Sequence, residues 1–177
     1  MKSKKEIQAL KEISSKLMSS DEYRGLAVIM LAMALEKQLK KVVIYNYRKQ
    51  GLSALFVRKH LLSGLSYSQL LKEFDVSNSE GLILTKIWKE NKMQVKDLNG
   101  IMKIRNRIVH SNGGTRSDVI EKNVNDLIYV IENLQELFDK RIGYNGIDSL
   151  PKNVALKDFS LNNNVLNRNI VNKINKL

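Results

Sequence analysis

The sequence predicts an all-α protein: an up-and-down helical bundle with two long helices and several short ones. Three observations carry that reading. One Pro and nine Gly in 177 residues leave long stretches without a helix breaker. Apolar residues recur at steps of three and four along most of the chain. The stretches of turn residues between them are short, so neighbouring helices are expected to run antiparallel.

Each element follows from its own pattern. Ile7, Leu10, Ile13 and Leu17 make one stripe, so Lys4 to Met18 is expected to form a short amphipathic helix. Ser19-x-x-Glu22 resembles a capping box for the next helix, with Asp21 in its first turn. That helix, about Asp21 to Gln50, is the longest. Its Leu26–Leu35 run is apolar nearly all round and should be buried on more than one side; its second half is basic on one face, and Gly51 is a plausible stop. Leu52 to Leu65 is a shorter apolar piece. Ser66-x-x-Gln69 could cap a short helix through Phe74, with a turn at Asp75–Ser79. Ser79 or Glu80 opens a helix through Asn91, with Leu82, Ile83, Ile87 and Trp88 as its apolar set.

The next helix is expected from about Val95 to His110, burying Leu98, Ile101, Met102, Ile104, Ile108 and Val109 and ending at Gly113-Gly114. Ser117 or Asp118 then caps the second long helix, which runs to about Arg141 and closes at Gly143. The helical domain is assigned to residues 1–143. Residues 144–177, rich in Asn from Asn162 onward, read as a weakly helical or partly ordered tail. No internal repeat is visible.

Composition removes several chemistries. With no Cys there is no disulfide framework, no thiolate nucleophile and no Cys-ligated zinc. Two His in the whole chain argue against a His-rich metal site, and no cofactor is expected. There is neither an apolar leader nor an apolar run of membrane-spanning length, so the expectation is a cytoplasmic protein with no membrane partner. The formal net charge of +12 favours a polyanion, with nucleic acid the first candidate.

One stretch concentrates chemistry. Arg105-Asn106-Arg107-Ile108-Val109-His110 packs two arginines, an amide and a histidine into six residues at a helix end. The negative end of the helix dipole favours a protonated imidazole, and a histidine titrating near neutrality can take or give a proton. An arginine offers a fixed cationic fork for phosphate oxygens. That set suits metal-independent cleavage of RNA by its own 2′-hydroxyl. Asn106 and His110 share a helix face, but Arg105 and His110 lie about 140° apart around an ideal axis. They converge only if the helix end distorts or a second copy supplies the partner.

The same six residues resemble the Arg-polar-x-x-x-His signature of the HEPN superfamily, including the Asn after the Arg. The resemblance covers about Asp21 to Arg141. It implies a helical bundle that dimerises through its motif helices, building one RNA-cleaving cleft from two Arg–His pairs. It also implies action as a toxin or an antiviral-defence effector, with an antitoxin or defence-complex partner. Carried onto this sequence, Arg105 and His110 would be catalytic and Asn106 supporting. One branch of the family has a Tyr two residues after the His that can be covalently modified; here that position is Asn112.

Arg107, Arg58 and Lys59 are candidate substrate contacts, with His60 adding to the basic run around Arg58. Glu36 is more readily a partner of Lys40 than of an active-site arginine. Tyr45 and Tyr47 could stack on bases, though half-buried positions at a helix end suit them better. Trp88 and Phe138 lie on apolar stripes and are expected in the core. The alternative function is a non-catalytic HEPN-type module that binds RNA, nucleotides or protein.

Overall fold

The computed structural model describes residues 2–78, 81–91, 95, 97–98, 100–110 and 115–153, with the backbone alone at 2–4, 104 and 110. Every element in this range is helical: α1 (Lys2–Met18), α2 (Arg24–Lys49), α3 (Ala54–Phe56) running on into a π-helical turn (Val57–Leu61), α4 (Tyr67–Ser77), α5 (Leu84–Glu90), α6 (Met102–His110) and α7 (Ser117–Ile142). The chain is an all-α bundle, as its apolar periodicity requires.

The bundle is built around α2. Ala27, Val28, Leu31, Ala32, Leu35, Leu39, Val42 and Val43 are fully covered, which takes in more than one face of the helix. One stripe of the same run stays open: Leu26 is 48% and Met33 61% exposed. The principal partner is α7, whose Val124, Leu127, Ile131, Leu134 and Phe138 are buried at steps of three and four. Trp88 and Phe138 are core residues, the latter stacked on Phe74 with ring centroids 5.3 Å apart.

The two long helices run parallel. Arg24 at the start of α2 bonds Ser117 at the start of α7, Gln38 Nε2 donates to Ile131 O at 3.1 Å, and Lys49 Nζ donates to Ile142 O at 3.1 Å near both ends. Antiparallel pairing describes the short-linked α1–α2 hairpin, where Glu6 and Lys41 meet at one end and Arg24 Nε donates to Met18 O at the other. It does not describe α2 with α7, because residues 50–116 lie between them and bring the chain back to its starting end.

Element ends show where local chemistry overrode pattern. The Ser66–Gln69 capping box forms. The Ser19–Glu22 box does not: Ser19 Oγ turns back to Ser15 O at 3.1 Å, and α2 starts at Arg24 without a side-chain cap. Ser117 lies inside α7 rather than capping it, Arg116 being the cap residue, while Asp118 holds the favourable acidic place in the first turn. Helix α4 runs past Phe74 to Ser77, because Asn78 closes it by donating to Phe74 O and Asp75 O while accepting from Leu82 N. Helix α5 starts at Leu84, so Ile83 precedes it and is exposed; Ser79 and Glu80 fall outside the described residues. Helix α6 starts at Met102, not Val95, since the Trp88 indole takes the Val95 carbonyl that a helix would use. Of its expected buried face, Leu98, Ile101 and Met102 are covered, Ile108 is half-buried and Val109 is exposed.

The N-terminus of α5 is capped from a distance: the Asp75 carboxylate accepts from Leu84 N at 2.8 Å. Burial pushes the Asp75 carboxyl up, against the opposing pull of that N–H. A folded pKa above the unfolded one means that the group's contribution to stability is full below the unfolded value and is lost as pH rises through the folded one. Asp75→Asn keeps an acceptor for Leu84 and removes the buried charge. It should raise the melting temperature at pH 7 relative to wild type and lose that advantage near pH 3; a melting temperature lower than wild type at pH 7 would show that the carboxylate itself is needed.

The core continues past Gly143, which closes α7 in the left-handed conformation (φ 77°). Tyr144 and Ile147 are buried, and Tyr144 stacks on Tyr45 at 4.8 Å. Residues 144–148 form a hook against α2. Gln38 Nε2 donates to Asn145 O, Lys41 Nζ donates to Ile147 O and Asp148 O, and Arg48 donates to Pro151 O and Lys152 O. Part of the basic second half of α2 therefore serves to cap backbone carbonyls. The Asn-rich segment from Asn162 lies outside the described residues.

Candidate functional site

Helix α6 carries the site, and small-residue packing on α2 positions it. A Cβ placed on Gly25 would lie 3.1 Å from Ile108 Cγ2, so α6 meets the first turn of α2 with nothing between them. Ile108 faces inward there, which leaves Asn106, Arg107 and Val109 exposed on the outer side.

Arg105 is half-buried. Its Nη1 donates to Asn106 Oδ1 at 3.0 Å, so the two side chains lie together. Accepting through Oδ1 leaves the Asn106 amide nitrogen as an outward donor. The Arg105 Nε–H is buried and has no acceptor among the described residues. A buried donor left unpaired costs about 1–3 kcal/mol, more when it is charged. Together these groups set a guanidinium beside an amide donor, with no carboxylate paired to Arg105 among the described residues.

The backbone of α6 is α-helical through His110, so no distortion turns Arg105 towards it. The His110 side chain and Ser111–Gly114 lie outside the described residues, Asn112 among them. Along a regular helix Arg105 and His110 stay about 140° apart.

The other candidates separate. Arg58 and Lys59 are exposed on the π-helical turn. Arg58 lines a groove along α2 with Lys37 and Lys40, and none of Arg105, Asn106 or Arg107 lines that groove. His60 packs on Phe56 with ring centroids 4.9 Å apart. Tyr47 is buried and donates to Glu73 Oε1 at 2.6 Å, and Tyr45 is covered by Tyr144 with Lys49 Nζ over its ring at 4.9 Å; neither is placed to stack on a base. Glu36 borders the groove and forms no salt bridge with Lys40 or with an arginine among the described residues.

Arg24 is a residue that the pattern did not single out. Its Nε donates to Met18 O at 3.0 Å, its Nη1 contacts Asp21 Oδ1 at 2.8 Å and also bonds Ser117 Oγ. It thus ties α1, α2 and α7 together beside Gly25, under the end of α6. The available signal was its place: a cation in the first turn of a helix opposes the dipole and needs compensating contacts.

Among the described residues no group of three or more Asp, Glu and His side chains could hold a metal ion, and no helix is long and apolar enough to cross a membrane. Comparison of the chain with protein-family models, with curated proteins and with solved structures finds no match.

Proposed function

We propose that this chain is a metal-independent endoribonuclease whose site is completed between two copies, acting as a toxin or antiviral-defence effector as its HEPN resemblance implies. The observation that carries the reading is the Arg105–Asn106 pair, whose guanidinium has no carboxylate partner among the described residues and whose amide is exposed. A scissile phosphate would meet the outward donors of that pair. Arg105 holds the phosphate oxygens and Asn106 adds a second donor. His110 takes the proton from the 2′-hydroxyl or gives one to the departing 5′-oxygen. The 2′-O–P bond forms as the P–O5′ bond breaks, leaving a 2′,3′-cyclic phosphate and a 5′-hydroxyl.

The about 140° between Arg105 and His110 favours pairing between chains over pairing within one. Val109, 47% exposed, and Leu26, 48% exposed, supply uncovered apolar surface on α6 and on the adjoining end of α2 for a second copy to cover. Arg107 lies on the same helix as a further phosphate contact, while Arg58 and Lys59 stand apart from it on the π-helical turn.

The test is incubation of the purified chain with a labelled single-stranded RNA in EDTA, with the product ends identified. Cleavage with cyclic-phosphate ends is expected. Binding without cleavage, weakening steeply with salt, would replace the reading with that of a non-catalytic RNA-binding module.

A further inference from the structure

A second surface of the molecule is built for a different partner. Helix α2 and the π-helical turn enclose a groove of about 670 Å³. Its floor is apolar, made by Met33, Ala34, Ile44 and Leu62; of its four cations Lys41 is held on the Ile147 and Asp148 carbonyls, and Lys37, Lys40 and Arg58 form the rim, with Glu36 as the one carboxylate. None of the three rim cations forms a salt bridge with a described residue. Across Ala34 and Lys37 the groove joins a hollow of about 260 Å³ against α1. Gln38 borders that hollow; it is 2% exposed and its Oε1 has no donor. Met33, 61% exposed, and Ile13, 46% exposed, stand along this surface as large apolar side chains facing water.

We infer that this groove docks an acidic amphipathic helix from a partner protein. Apolar residues of such a helix at i, i+3, i+4 and i+7 would cover Met33, Ile44 and Leu62, and its carboxylates would meet the unpaired rim. From Met33 to Ile44 the floor spans about 16 Å at 1.5 Å per residue, the length of a three-turn helix. Charge excludes the other occupants at hand. Residues 154–177 carry Lys157, Arg168, Lys173 and Lys176 against a single Asp158, and a second copy would set the same cationic rim against this one. A nucleic-acid strand would match the rim but not the floor, since no aromatic side chain borders the groove to stack on a base. The inference does not depend on the ribonuclease reading.

The probe is a 15-residue helical peptide with leucines at that spacing and glutamates between, compared with its counterpart in which every Glu is Lys. The full chain is labelled at its methionine methyls and titrated by NMR. The acidic peptide is expected to shift the Met33 methyl and leave the buried Met102 unmoved, binding at least tenfold tighter than the lysine peptide. Lys37→Glu with Arg58→Glu should reverse that preference, whereas Lys72→Glu on the exposed side of α4, which changes net charge away from the groove, should not. Equal binding of the two peptides, or no Met33 shift, overturns the proposal. So does an oligouridylate that shifts Met33 at lower concentration than the peptide, which would make the groove a nucleic-acid track.

Discussion

Arg105→Ala is expected to lower RNA cleavage by about a hundredfold or more, the usual cost of removing one preorganised contact to the developing charge. The melting temperature should change by only a few degrees, because among the described residues Arg105 bonds Asn106 alone and its Nε has no acceptor there to lose. His110→Ala should be at least as severe. A mixture of the two variants gives the decisive measurement. If each site takes its arginine from one copy and its histidine from the other, a mixed dimer holds one intact site. Random exchange makes half of the dimers mixed, so roughly a quarter of wild-type activity returns. If both residues act within one chain, nothing returns. Recovery near zero from a mixture shown to exchange would therefore end the two-chain reading even where wild type cleaves well.

The largest effect on stability is expected at Gly146. Its φ is +76°, and a Cβ there would lie 2.7 Å from both Gln38 O and Val42 Cγ2. An alanine would meet a strained backbone region and a clash with main chain and side chain together. Gly146→Ala should cost about 3 kcal/mol by those two mechanisms. For a chain of this size that is a fall of about 6–12 °C in melting temperature. Gly51→Ala is the matched comparison: its φ is also positive, at 87°, but a Cβ there meets nothing within 4 Å, so its loss should be the smaller. Equal losses in the two variants would show that backbone strain alone is at work and that the hook is not tightly seated on α2.

The helical core could be read from the sequence because burial and period coincide there. Leu31, Leu35 and Leu39 on α2 and Leu127, Ile131 and Leu134 on α7 mark their own inner faces. Ends were harder. Asp75 reaches from α4 to cap α5, and the Trp88 indole takes the Val95 carbonyl; both bonds join different elements, and no local pattern encodes them. Tyr144 and Ile147 resembled a loop leading to a tail, because two apolar residues in a short polar run carry no period, yet they complete the core. At the candidate site, the composition of α6 was legible and the placement was not. Of the expected basic partners, Arg58 falls on a groove of its own and Lys59 lies next to it on the π-helical turn, while Arg24, which lacks any motif, braces the helix ends beside Gly25.

The parallel course of α2 and α7 also governs when the molecule can exist during synthesis. The α1–α2 hairpin is local and can close as soon as residue 49 has emerged. The main seam cannot: its second half begins at Ser117, and the fastenings on α2 that follow it run through the hook on Gln38 and Lys41 to the Arg48 bonds at Pro151 and Lys152. Until then the apolar faces of α2 stand uncovered in a nascent chain, which is the period of greatest exposure to aggregation and to chaperones. Helix α6 reaches its place over Gly25 only just before α7 closes. A chain interrupted before Ser117 therefore carries the Arg105–His110 segment without the frame that holds it.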